Sequence, residues 1–221
     1  MELVTYKING GVGIMKKILV YGDSNTWGDN FITGQRIPDE KQWVNILRKK
    51  YNKEYLFLQE GLPGRIAGND EIMKKYKNGQ DTFISIFRTN APVDTVIISL
   101  GTNDLQLKYN KSSDDIIKDL LWYKDKIEES FNDEEDKIKY FNSKMPNIVY
   151  ILPINFDYQV NASAIFDIEC EKKRQEIIKY FAKENISIIT ADNLDLFEDG
   201  IHLSYQGHKD MAKIVEQGLC L

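Results

Sequence analysis

The chain has 221 residues, of which 42% are hydrophobic, and this suits one α/β domain with a sizeable core. Its formal net charge of −5 gives no basic surface for nucleic acid and no polybasic anchor for anionic lipid, so neither partner is expected. Two cysteines (Cys170 and Cys220), no export signal and no apolar run of about 18 residues predict a cytoplasmic protein without disulfides or a membrane span.

Short apolar segments alternate with helical patterns from Lys17 onwards. Residues 1–15 are interpreted as an N-terminal extension, disordered or outside the fold, ahead of a single domain over 16–221. Strands are predicted at 17–22, 55–58, 95–100, 148–152 and 186–189, and helices at 42–51, 80–89, 113–130, 164–184 and 204–217. Residues 132–147 are interpreted as a helix end and a solvated connection. The alternation indicates a doubly wound parallel sheet, which binds ligands beyond the carboxyl ends of its strands.

The heptapeptide GDSNTWG, residues 22–28, follows the first predicted strand directly. A serine at this place has an exposed hydroxyl and a backbone N–H that is free to hold an anion. Ser24 is therefore the candidate nucleophile. The alternative is that Asp23 or Ser24 only caps a helix while Gly22 supplies a tight turn.

A second motif, DGIHLS at 199–204, lies near the C-terminus. A serine nucleophile needs a base at neutral pH, and imidazole is the side chain best suited to that task. Asp199, three residues before His202, is predicted to hold the other ring nitrogen and stabilise the imidazolium. The alternative is that Asp199 caps a turn or the last helix and His202 is a loop residue.

Two further loops follow predicted strands at the same edge of the sheet. The segment QEGLPGRIAG follows the second strand, where Gly61 and Gly64 allow sharp turns, and GTND at 101–104 follows the third. Gly64 and Asn103 are the candidate donors to the oxyanion of an acyl-transfer reaction, together with the N–H of Ser24. Turn formation and Asx-type capping account for each loop when it is taken alone.

Three apolar residues are predicted to line the substrate pocket: Trp27, Phe156 and Ile201. Phe156 belongs to a segment after the fourth strand that has no clear periodicity and is predicted to overhang the carboxyl-end face. Asp23 and Asp104 are expected to be structural, buried and bonded to loop amides. The second histidine, His208, is expected at the surface of the last helix.

The motifs GDSNTWG, QEGLPGR, LGTND and DGIHLS resemble, in order and spacing, the four blocks of the SGNH (GDSL-like) hydrolase family, over residues 16–215. By this resemblance Ser24, Asp199 and His202 form a catalytic triad, and Ser24, Gly64 and Asn103 form the oxyanion hole. It implies a flavodoxin-like three-layer α/β/α fold with strand order 2-1-3-4-5. The wording of the blocks is most similar to the arylesterase and acyltransferase branch.

The resemblance implies a serine esterase that cleaves small aryl or short-chain acyl esters through an acyl-enzyme. This chemistry requires no metal or organic cofactor. Carbohydrate deacetylation, lysophospholipid or thioester hydrolysis, and a catalytically silent small-molecule-binding module are the alternatives. A small-molecule ester is the expected partner, and a homo-oligomer is left open as the common case for soluble proteins.

Overall fold

The computed structural model describes residues 5–8, 11–160 and 165–221. Its strands are β1 (Thr5–Ile8), β2 (Gly11–Ile14), β3 (Lys16–Gly22), β4 (Asp29–Asn30), β5 (Gln35–Arg36), β6 (Tyr55–Gly61), β7 (Thr95–Ser99), β8 (Asn147–Ile151) and β9 (Ser187–Ile189). Its α-helices are α1 (Ser24–Trp27), α2 (Trp43–Lys50), α3 (Gly79–Asn90), α4 (Ser113–Asn132), α5 (Glu134–Phe141), α6 (Ile168–Phe181) and α7 (Tyr205–Leu219).

Five parallel strands form the central sheet in the order β6-β3-β7-β8-β9. Counting only these strands along the chain, the order is 2-1-3-4-5, so the predicted three-layer topology is confirmed. The apolar runs without polar alternation are explained by burial of both sheet faces under helices. β3, the first of them, lies between β6 and β7 and is covered on both sides.

Alternate residues of β3 enter two separate cores, as the strand period of two requires. Ile18 and Val20 pack under α2 and α7, against Trp43, Val44, Leu47, Met211, Ala212 and Val215. Leu19 and Tyr21 pack under α3, α4 and α6, against Phe83, Phe87, Ile116, Leu120, Ile127 and Ile177. The two cores fix the height of β3, and with it the position of the residues that follow its carboxyl end.

The prediction of a solvated connection over 132–147 is wrong, because this segment contains helix α5. Asp133 caps the helix by accepting a hydrogen bond from the Asp136 N–H at 2.9 Å, and acidic residues fill the first turn, where the helix dipole favours them. Phe141 is buried beside Phe87 and Phe131. The acidic residues of this segment thus form the start of a helix, and Phe141 is the residue that the helix buries.

The expectation that His208 lies at the surface is wrong: the residue is fully buried on α7. Its Nδ1 accepts a hydrogen bond of 3.3 Å from the Trp43 backbone N–H at the start of α2. Burial lowers the pKa of His208 to about 4, so the ring is neutral at pH 7. The residue therefore joins two helices on the same face of the sheet.

Two small hairpins accompany the main sheet. Within the predicted N-terminal extension, β1 and β2 pair antiparallel; the division into an extension and one domain stays a prediction. β4 and β5 also pair antiparallel, with Asp29 opposite Arg36, immediately after α1. In the described part of the chain, no helix combines the length and the apolar character needed to cross a membrane.

Candidate active site

Three adjacent strands, β6, β3 and β7, end in register, and this brings the loops that follow them together. Gly22 of β3 is paired with Gly61 of β6 and with Ser99 of β7. Ser24, Gly64 and Asn103 lie two to four residues beyond these positions. A hydrogen bond of 3.1 Å from the Leu62 N–H to the Gly22 carbonyl ties the first two loops together.

Ser24 is the first residue of α1, and its helix start is built by its neighbours. The Asp23 carboxylate accepts a hydrogen bond of 3.0 Å from the Asn25 N–H. The helix ends after one turn because Gly28 adopts φ +88°, a left-handed conformation that terminates helices. The N–H of Ser24, at the first helical position, has no acceptor within the helix.

His202 and Asp199 lie next to Ser24, although they come from the other end of the chain. The Ser24 Oγ to His202 Nε2 distance is 3.0 Å, and the His202 Nδ1 to Asp199 Oδ2 distance is 2.5 Å. A carboxylate only accepts hydrogen bonds, so Nδ1 carries the ring hydrogen and Nε2 faces the serine hydroxyl as an acceptor. The structure therefore brings the three residues of the predicted triad together.

The electrostatics of this group favour an ionised aspartate and a basic imidazole. Burial alone lowers the pKa of His202, but the hydrogen bond and charge of Asp199, with smaller contributions from Asp29 and Asp23, raise it above 6.5. Burial raises the pKa of Asp199, but hydrogen bonds from the His202 ring and from the N–H groups of His202 and Ile201 lower it below 3.8 overall. His202 is thus poised to take a proton near neutral pH.

Asn25 joins the loop that carries His202 to helix α1, which carries Ser24. Its Oδ1 accepts a hydrogen bond of 2.8 Å from the Leu203 N–H, and its Nδ2 donates one of 3.2 Å to the Ile201 carbonyl. These bonds flank His202 on both sides. This role of Asn25 was not predicted, and the only sign of it in the sequence is an amide side chain next to Ser24.

Gly64 and Asn103 are brought to one place by a direct contact between their loops. The Asn103 Nδ2 donates a hydrogen bond of 3.0 Å to the carbonyl of Arg65, the residue after Gly64. Gly64 has φ +75°, which explains the need for glycine there. Asp104 braces the same loop as expected, because its carboxylate accepts a hydrogen bond of 2.7 Å from the Ala67 N–H.

Asp23 is also buried, as expected for a structural carboxylate. Burial raises its pKa to about 6, in spite of the Asn25 N–H and the charges of His202 and Arg65. A cavity of about 10 Å³ lies beside it, lined among others by Asn25 and Thr102. This volume suffices for about one water molecule, so the cavity is too small for an ester.

The predicted pocket residues have different environments. Trp27 and Ile201 are half-buried near the triad, and the Ile201 carbonyl accepts the hydrogen bond from Asn25. Phe156, by contrast, is only 7% exposed and stacks on Phe166 with ring centroids 4.3 Å apart. The Phe156 ring belongs to the hydrophobic core that also contains Phe166, so the structure does not place it on a pocket wall.

A residue that the sequence analysis did not single out, Asp29, lies on the far side of the imidazole from Asp199. Its Oδ2 is 4.0 Å from the His202 Nε2. The only signal for it was an acidic residue directly after Gly28, which closes the serine motif. Among the described residues, no three histidine, cysteine or acidic side chains cluster closely enough to hold a metal ion.

Comparison with protein families matches residues 18–215 to the GDSL-like Lipase/Acylhydrolase family. The chain belongs to this family. The resemblance stated from the four motifs is therefore confirmed, and the chain is a carboxylic ester hydrolase, the enzyme class that the sequence predicts. A comparison with curated proteins gave no match.

Solved structures of esterases share the fold of this GDSL-like hydrolase. A putative arylesterase from Agrobacterium tumefaciens is 22% identical, with a TM-score of 0.77 over 93% of this chain and 99% of that one. A carbohydrate acetylesterase family member from Sinorhizobium meliloti is 21% identical, with a TM-score of 0.75 over 94% and 100%. The aryl esterase of M. smegmatis is 21% identical, with a TM-score of 0.71 over 91% and 99%.

Proposed function

We propose that this GDSL-like hydrolase is a serine esterase that cleaves small aryl or short-chain acyl esters through an acyl-enzyme on Ser24. The observation that carries the proposal is the 3.0 Å distance between Ser24 Oγ and His202 Nε2, with Asp199 bound to the opposite ring nitrogen. A hydroxyl, a base and an ionised orienting group in this order form an activated nucleophile.

In the proposed reaction His202 Nε2 takes the hydroxyl proton as Ser24 Oγ attacks the ester carbonyl carbon. The carbonyl oxygen becomes an oxyanion, and the N–H groups of Ser24 and Gly64 and the Asn103 amide stabilise it. His202 then gives its proton to the leaving alcohol oxygen. Water, deprotonated by the same ring, releases the acid and restores Ser24.

Small aryl or acyl esters are the proposed substrates because the motifs are most similar to the arylesterase and acyltransferase branch. The half-buried Trp27 and Ile201 supply apolar contact area beside the triad. A cytoplasmic location belongs to the same proposal and is supported by the two free thiols, one of them, Cys220, exposed.

The test is labelling with a fluorophosphonate, followed by intact-mass measurement. We expect a single adduct on the wild type and none on Ser24→Ala, and we expect a panel of p-nitrophenyl esters of increasing chain length to give the highest kcat/KM at short chains. Absence of an adduct on the wild type, or equal labelling of Ser24→Ala, would overturn the proposal. A clear preference for acetylated xylan or lysophospholipid in the same assay would replace the proposed substrate class.

A further inference from the structure

The carboxylate of Asp29 occupies a place beside the candidate catalytic base that the proposed reaction leaves without a role. Its Oδ2 lies 4.0 Å from the His202 Nε2, the nitrogen that faces Ser24. The side chains of Asp29 and His202 are 23% and 20% exposed, so both reach solvent next to the nucleophile. A molecule approaching Ser24 from this side meets the carboxylate.

The backbone holds Asp29 in this position. It follows Gly28, whose N–H donates to the Ser24 carbonyl at 2.8 Å and whose own carbonyl accepts from the Ile37 N–H at 2.8 Å. The next residue, Asn30, bonds the Tyr205 hydroxyl at 3.3 Å. Asp29 is thus fixed between two anchored neighbours, and its distance from the imidazole is set by the chain itself.

The charge of Asp29 is not neutralised by the residue opposite it in the β4–β5 hairpin. Arg36 is its register partner, but the Arg36 guanidinium donates to the Trp27 carbonyl and to the side chains of Gln42 and Gln59. In the described parts of the chain, the His202 ring is the one basic side chain within 4.0 Å of the Asp29 carboxylate, and this ring is neutral when it acts as the base. The negative charge of Asp29 can therefore act on a ligand.

The position of the leaving group follows from the chemistry of His202. The proton that Nε2 takes from Ser24 must be given to the leaving oxygen, so that oxygen has to come within hydrogen-bond reach of Nε2. The substituents of the leaving alcohol then lie within a few ångströms of Asp29. An acyl group, in contrast, extends from the other side of the carbonyl carbon.

We infer that Asp29 is a specificity-determining residue that selects the leaving alcohol by charge, favouring alcohols with an ammonium group and disfavouring those with a carboxylate or phosphate. This inference rests on the proposed serine esterase function. Two unit charges about 4 Å apart in water-like surroundings interact strongly enough to change a rate about fivefold. Salt reduces the effect, because the carboxylate is partly exposed.

The test compares three acetate esters with phenol leaving groups of similar shape: 3-(trimethylammonio)phenyl acetate, the uncharged 3-tert-butylphenyl acetate and the anionic 3-carboxyphenyl acetate. Relative to the neutral ester, we expect Asp29→Asn to lower kcat/KM for the cationic ester about fivefold and to raise it for the anionic ester by a similar factor, at low ionic strength. Asp29→Glu keeps the charge and is expected to retain the order of preference.

Glu184→Gln is the matched control, because it removes one negative charge from an exposed position just before the amino end of β9, at the opposite edge of the sheet from the triad, and should leave both ratios at their wild-type values. Equal ratios in wild type and Asp29→Asn would overturn the inference while leaving the esterase function intact. A change of the same factor for all three esters would also overturn it, since this would mean that Asp29 acts on His202 rather than on the substrate. Failure of the wild type to hydrolyse any of the three, together with no fluorophosphonate adduct, would overturn the esterase function itself.

Discussion

The Asp199 carboxylate is held by three hydrogen bonds from its own local chain. Its Oδ1 accepts from the N–H groups of Ile201 and His202, each at 3.1 Å, and its Oδ2 binds the His202 ring at 2.5 Å. Both oxygens are thus oriented before any substrate arrives. By bonding the N–H groups two and three residues further along the chain, Asp199 builds the turn that presents the imidazole to Ser24.

Asp199→Asn is expected to lower kcat by about 10³- to 10⁴-fold, because an amide holds the wrong tautomer and no longer stabilises the imidazolium. The neutral ring is the active form, and Asp199 raises the His202 pKa above 6.5, so the wild-type acid limb of kcat/KM should lie above pH 6.5. In the variant the residual activity should show this limb at lower pH. The measurement is a pH profile with p-nitrophenyl acetate.

Glu198→Gln is the control for this prediction, since Glu198 is the exposed neighbour of Asp199 and carries the same charge. Its profile should superimpose on that of the wild type. An Asp199→Asn protein with unchanged kcat, or with an acid limb at the wild-type pH, would show that Asp199 does not act on His202.

At the scale of elements, helix α1 and the loop before α7 behave as one unit through Asn25. The Asn25 side chain bonds backbone groups on both sides of His202, and the Asn25 backbone carbonyl accepts a hydrogen bond of 3.1 Å from the Trp43 Nε1–H. Removal of the Asn25 side chain leaves the Leu203 N–H and the Ile201 carbonyl without this partner, and an unpaired buried polar group costs about 1–3 kcal/mol. The same loss frees the loop that carries the base.

Asn25→Ala is therefore expected to lower both the free energy of unfolding and kcat, the latter by at least about tenfold, since small displacements of a catalytic group have large effects on rate. Asn155→Ala is the matched control: the Asn155 side chain also makes two bonds to a neighbouring loop, at the N–H and carbonyl of Leu194. It should lower stability similarly and leave kcat within about twofold. Urea unfolding and steady-state kinetics on both variants give the comparison. An equal fall of kcat in the two variants would contradict the role of Asn25 in positioning His202.

Elements and motifs differ in how far the sequence predicts them. The five strands and the doubly wound class follow from apolar runs and alternation, whereas the strand order follows from the resemblance to the family. The triad follows from two motifs whose residue types indicate their chemistry. Helix α5 was missed because its apolar face is a single residue, Phe141. Asp29 was missed because its distance from His202 depends on the sheet and the hairpin together. Phe156 was assigned to the pocket although its ring packs on Phe166, because an apolar side chain near a site can belong to either the core or a pocket.

At the scale of the whole molecule, the buried His208 links the stability of the fold to pH. Its folded-state pKa of about 4 lies below the unfolded value of 6.5, so the unfolded chain binds more protons between these values. The contribution of His208 to the free energy of unfolding is fully present above pH 6.5 and is lost as the pH falls towards 4. Each pKa unit corresponds to about 1.4 kcal/mol.

His208→Asn removes this titration while an amide oxygen can still accept from the Trp43 N–H. Between pH 7 and pH 5 we expect the wild type to lose about 2 kcal/mol of unfolding free energy more than the variant does. Asp23, with a folded-state pKa of about 6, acts in the opposite direction, but it is present in both proteins and cancels in the difference. Urea melts at the two pH values provide the measurement, and parallel pH dependences would contradict a neutral buried ring.

The 178 positions that separate Ser24 from His202 also have a consequence for biosynthesis. Ser24, the proposed nucleophile, leaves the ribosome early, but Asp199 and His202 are translated only after the last strand of the sheet, β9. At about 5–20 residues per second, this delay amounts to roughly 10–35 s. With the proposed triad, we therefore expect a growing chain to be inactive towards esters throughout elongation, and hydrolysis to begin only when His202 has joined the folded sheet.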